Sequence, residues 1–172
     1  MPLLLTPNAL AIGAVAAATV AAAIIDLRTR RVPNALTMSV ACGGVAIAAL
    51  GIGPIGIGAA ISGCLIGLAV MLPGHLIGGT GGGDVKLLAS VGTLLGPTAT
   101  LRAFVATAIA GGVIAVVVAL RRRRMGATLA GTTRLVASMG SNATDVEHPR
   151  RDNRFAYAPA IAVGAIVAAL TQ

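Results

Sequence analysis

From residue 35 to residue 83 the chain carries no Asp, Glu, Lys or Arg, a run of 49 uncharged residues. As a single helix at 1.5 Å per residue it would reach about 74 Å, more than twice the hydrocarbon thickness of a bilayer. The run must therefore fold back on itself, and the rest of the composition says in what medium. Of the 172 residues 56% are hydrophobic and 10% charged, against roughly a quarter charged in soluble domains. Gly supplies 23 residues while Phe, Tyr and Trp together supply three, so the apolar mass is small and aliphatic, as in helices packed closely in lipid. This excludes an ordinary soluble fold and a disordered chain. The net charge of +8 would suit a nucleic-acid binder, but no basic stretch is interleaved with the aromatics on which bases stack. No nucleic-acid partner is expected.

Uncharged runs define an all-α polytopic membrane protein of six transmembrane helices in a single domain over residues 1–172. Residues 8–25 form the first span, about 27 Å long. The long run breaks at Gly51–Gly58, where alternating Gly and Pro54 interrupt helical continuity, giving spans at 35–50 and 59–77. Residues 103–120 and 155–172 give two more. Residues 85–96, bounded by Gly83-Asp84 and Gly96-Pro97, would reach only about 18 Å, as a short span or a re-entrant loop. Positive charge decides. If 85–96 spans with the N-terminus outside, twelve of the 13 basic residues face the cytoplasm and only Arg102 does not; if it is re-entrant, five lie inside and eight outside, against the positive-inside bias. The expected topology is therefore six spans with both termini outside and a polar cytoplasmic loop over 121–154, in a plasma or inner membrane. The apolar N-terminal stretch has no positive region before it and Arg28, Arg30 and Arg31 after it, which reads as a retained first span rather than a cleaved signal. A span as short as 85–96 draws its ends toward the membrane, placing Asp84 deeper than an ordinary loop residue.

Of five acids, Asp145, Glu147 and Asp152 fall in the polar loop, where a solvated charge needs no explanation. Asp26 ends the first span and Asp84 opens the fourth, both on the cytoplasmic side. An acid within a span costs about 2.5 to 3.5 kcal/mol, less toward the interface, so both are candidates for function. Singly, Asp26 also suits an interfacial charge paired with Arg28 or Arg30, and Asp84 a carboxylate favoured at a helix N-terminus. Brought together, two carboxylates cannot both ionise cheaply and share a proton. That is the aspartic-protease arrangement: one takes a proton from an attacking water while the other polarises the peptide carbonyl. Gly81-Gly82-Gly83 would leave room for a substrate backbone beside the acid. Lys86, two residues on, suits a supporting role to a carboxylate, and Pro33 and Asn34 suit the start of the second helix.

Gly81-Gly82-Gly83-Asp84, continued by Val85-Lys86-Leu87, resembles the GxGD signature of the type IV prepilin peptidases, a family of membrane aspartyl proteases. Asp26 with Pro33-Asn34 resembles that family's first catalytic block. Phe155-Ala-Tyr-Ala-Pro159-Ala-Ile-Ala-Val-Gly164 is similar to its last-helix pattern, which more often has Gly where Ala158 stands. The resemblance implies a GxGD aspartyl protease-like fold and catalytic Asp26 and Asp84, with Gly81, Gly83, Lys86, Pro33 and Asn34 binding substrate or supporting the pair. It further implies cleavage of the basic leader of a prepilin or pseudopilin at the cytoplasmic face, without cofactor or metal. Larger members carry an N-terminal region with Cys-x-x-Cys pairs and also N-methylate the product; the lack of that region here implies a peptidase without methylation. A basic leader would be repelled by a face of twelve positive side chains; Arg28, Arg30, Arg31 and Arg121 to Arg124 are expected to hold anionic lipid headgroups instead.

Other signals are discounted. Gly51-Ile-Gly-Pro-Ile-Gly56 matches a dinucleotide fingerprint but follows a span and contains a proline. Asn142-Ala-Thr144 is a glycosylation sequon on a cytoplasmic loop. Cys42 and Cys64 read as small core residues, His75 as packed or interfacial, and Gly63-Cys-Leu-Ile-Gly67 as an internal close-packing face. The alternatives to a peptidase are a small proton-coupled transporter built on the same acids and a non-catalytic membrane component of pilus assembly.

Overall fold

The computed structural model describes residues 7–77, 79–121 and 157–171. Five helices follow in order: α1 (Pro7–Thr29), α2 (Asn34–Ala49), α3 (Ile57–Leu76), α4 (Gly82–Arg121) and α5 (Ala158–Leu170). Among the described residues three helical stretches are long and apolar enough to cross a membrane, Asn8–Thr29, Ile57–Leu76 and Gly82–Val117, and α2 and α5 are shorter apolar helices. The difference from the six expected spans arises in α4, which joins 85–96 and 103–120. The loop expected over 121–154 lies outside the described residues except for Arg121, as do Arg122 to Arg124 and the sequon.

Gly96 breaks α4. Its φ of 74° and ψ of 178° belong to a region open only to glycine, and Pro97 behind it both disfavours helix at Gly96 and brings no N–H. The break reverses the chain. An unbroken helix would set Asp84 and Gly111 about 40 Å apart, yet the Tyr157 ring packs against Gly111 and lies in the electrostatic field of Asp84. The limb beyond Gly96 thus runs back alongside the limb before it. Arg102, near the turn, donates to Thr171 O at 3.0 Å at the far end of α5.

The first limb of α4 is the centre of the bundle. From Leu87 through Gly96 every residue is buried, with Gly44 of α2 and Gly63 and Gly67 of α3 against it, and α4 as a whole also packs against α1 and α5. Close approach comes from small residues. A side chain on Gly63 would run into the backbone of Gly92 and Gly96, and one on Gly67 would meet the backbone of Leu88 and Ala89 at 2.9 Å. The spacing Gly63-Cys-Leu-Ile-Gly67 is indeed an internal packing face. Outward positions carry the bulk instead: Ile61, Leu65, Leu68 and Leu72 of α3 and Leu10, Val20, Ile24 and Leu27 of α1 are exposed. Small residues inside and large aliphatics outside is the arrangement of a bundle whose solvent is lipid. Cys42 is exposed rather than in the core, and Cys64 is half-buried.

Candidate active site

The inward face of α1 repeats at helical spacing. Ala11, Val15, Thr19, Ala22 and Asp26 are all buried, four, four, three and four residues apart, so the stripe that packs α1 into the bundle carries Asp26 in with it. Its exposure is 7%. Asp84 stands in the first turn of α4, where the Gly run ends and the central limb begins, at 8% exposure.

The two acids come together at one end of the bundle. Asp84 lies in the electrostatic field of Asp26. Among the described residues a backbone N–H donates to each carboxylate: Ala158 N–H reaches Asp26 Oδ2 at 3.4 Å and Gly81 N–H reaches Asp84 Oδ2 at 3.3 Å. Arg30 also acts on Asp26 electrostatically, from a left-handed backbone with φ 55° just after its N–H closes α1 on Asp26 O at 2.8 Å. The Arg30 charge thus acts on Asp26 beside the acid pair.

The supporting residues divide. Lys86 is exposed, and its ammonium donates to Asn34 Oδ1 at 3.1 Å rather than to a carboxylate. That bond ties the start of α2 to the first turn of α4. Pro33 caps α2, accepting the Leu36 and Thr37 N–H groups at 3.2 and 3.3 Å. The glycines face the protein's own atoms: a Cβ on Gly81 would stand 3.0 Å from Asp84 Oδ2, and one on Gly83 would stand 3.2 Å from the Val32 side chain. Close approach of the chain to itself is therefore reason enough for glycine at both positions.

Two contributors, Tyr157 and Ala158, belong to the last-helix pattern of the sequence but are not among the expected site residues. Tyr157, the only tyrosine in the chain, sits in the field of Asp84 with its ring against Gly111, and the next residue, Ala158, supplies the donor to Asp26. The last-helix pattern that contains Tyr157 and Ala158 is the available signal. Among the described residues no group of three His, Cys, Asp or Glu side chains is placed to hold a metal ion.

No curated protein and no solved structure matches the chain. A family model described as the type IV leader peptidase family matches residues 13–116, a stretch that contains Asp26, Pro33-Asn34 and the Gly81–Asp84 run and stops short of α5. With buried acids from α1 and α4 meeting at one end of a lipid-adapted bundle, and with that model covering more than half of its length, the chain belongs to the type IV leader peptidase family.

Proposed function

We propose that the protein is a membrane aspartic endopeptidase that removes the leader of a prepilin or pseudopilin, with Asp26 and Asp84 as its catalytic pair. The observation that carries this is that two buried carboxylates from separate helices lie within each other's electrostatic reach, each with its own backbone N–H donor. A buried acid at a membrane edge needs a reason, and an acid pair sharing a proton is the equipment for peptide hydrolysis. In the cycle, one carboxylate takes a proton from water as the water oxygen bonds to the scissile carbonyl carbon, and the protonated partner gives its proton to the carbonyl oxygen. The C–N bond then breaks, the amine leaves with a proton, and one proton stays on the pair.

The ends of the bundle support a cytoplasmic site. Arg28, Arg30, Arg31, Lys86 and Arg121 belong to the end that holds the acids, while Arg102 reaches the opposite end of α5. Under the positive-inside bias the acid end faces the cytoplasm. The reversal at Gly96 turns α4 into an outward and a returning crossing; with α1, α2, α3 and α5 this makes six crossings in one domain, with both termini outside. The Arg residues of the acid end hold anionic headgroups, which leaves the acid pair as the local negative focus for a basic leader.

The test is co-expression of the full chain with candidate prepilins, reading the mass of each pilin. A product shortened by its basic leader, at the peptide bond that joins leader and mature N-terminus, is expected. Pilins that all keep their leaders would contradict the reading.

A further inference from the structure

Between α3 and α4 the chain turns onto the last turn of α3. The N–H groups of Gly79 and Thr80 both donate to Gly74 O, at 2.8 and 3.2 Å, and the Thr80 side chain sits over Gly74, where a Cβ would stand 3.2 Å from it. The neighbouring side chain, His75, places Nδ1 3.0 Å from Thr80 O. A carbonyl oxygen only accepts, so this bond needs the proton on Nδ1, as in one neutral tautomer and in the imidazolium. On the other side, Gly81 N–H donates to Asp84 Oδ2 at 3.3 Å.

The Thr80 carbonyl and the Gly81 N–H are the two ends of one peptide unit. That unit is planar and trans, so its C=O and N–H point in opposite directions, and holding one aims the other. We propose that His75 is a positioning residue: by gripping the Thr80–Gly81 peptide at its carbonyl, it directs the Gly81 N–H onto the Asp84 carboxylate. The inference rests on the reading of Asp84 as a catalytic acid. Rotation of this peptide meets little steric opposition because Gly81 has no Cβ, so the unit needs a fixing contact, and His75 supplies one. Two hydrogen bonds on one amide also polarise each other, strengthening the donor that Asp84 receives. Gly82 completes the fit, since a Cβ there would already touch the His75 ring at 3.4 Å.

The imidazole can be replaced in two informative ways. The Asn amide nitrogen falls near the Nδ1 position and the Gln amide nitrogen near Nε2, so only His75→Asn keeps the donor. In leader cleavage by the full chain, His75→Ala and His75→Gln are expected to lower kcat about tenfold to a hundredfold with KM within about twofold, the scale of a misplaced catalytic group. His75→Asn is expected to stay within about threefold of wild type. Wild-type rates in His75→Ala, or equal rescue by Gln and Asn, would overturn the proposal. No cleavage by wild type, or cleavage that survives Asp84→Asn, would count against the peptidase reading instead. The grip itself is then read by amide exchange over residues 79–84 in the purified chain: faster in His75→Ala and His75→Gln and normal in His75→Asn is expected, and unchanged exchange in His75→Ala would overturn it.

Discussion

Asp84 Oδ2 stands 3.3 Å from the Gly81 nitrogen and 3.0 Å from where a Gly81 Cβ would lie, so the same glycine donates to the carboxylate and makes way for it. Gly81→Ala is predicted to push the carboxylate aside and slow leader cleavage about tenfold or more while the chain still inserts, read as cleavage rate per inserted protein. A second pair of adjacent glycines separates site geometry from helix propensity. A Cβ on Gly111 would stand 2.6 Å from the Tyr157 ring, whereas one on Gly112 meets nothing within 4 Å. Gly111→Ala is predicted to displace Tyr157 from beside Asp84 and lower cleavage several-fold; Gly112→Ala should leave the rate at wild type. Both acids were legible in the sequence because acids are scarce in it, and the Gly run marked one of them. Tyr157 is visible in the sequence only as part of the last-helix pattern, because its place at the site depends on the return limb of α4, which sequence spacing does not encode.

At the level of elements, packing is set by which side of a helix lacks a side chain. Gly44 abuts Thr93 of α4, while Gly43 has open space around it. Gly44→Ala is predicted to destabilise the protein by about 1 to 3 kcal/mol through overpacking. Gly43→Ala should be neutral or stabilising by up to about 1 kcal/mol through helix propensity; unfolding midpoints in detergent check both. The helix positions were readable from uncharged runs and Gly/Pro breaks: 35–50 became Asn34–Ala49 and 59–77 became Ile57–Leu76. Gly96-Pro97 marks a boundary in the sequence and is the point of reversal. What the runs did not give was the continuity of α4 across it, because a glycine can turn the chain within a single residue where a loop was expected. The apolar surroundings of Cys42 suggest a core position, but in a lipid-adapted bundle an apolar neighbourhood does not distinguish inside from outside.

The whole molecule has two chemically different ends. One gathers Asp26, Asp84, Tyr157 and His75 with the basic residues that follow α1; the other holds the Gly96 reversal and Arg102 against the end of α5. Single cysteines at positions 28 and 102, in a chain whose Cys42 and Cys64 are replaced by Ala, are predicted to react with an impermeant thiol reagent from opposite sides of the membrane, position 102 from outside intact cells. Labelling of both from one side would contradict the reversal and the six crossings together. The central claim is that Asp26 and Asp84 act as one unit, and the most direct measurement is the rate of leader removal by Asp26→Asn, Asp84→Asn and the double variant, each matched for membrane insertion. Groups that act as a unit lose their effect together, so all three are predicted to fall to the same floor, at least about a hundredfold below wild type; substantial cleavage by either single variant would contradict the account.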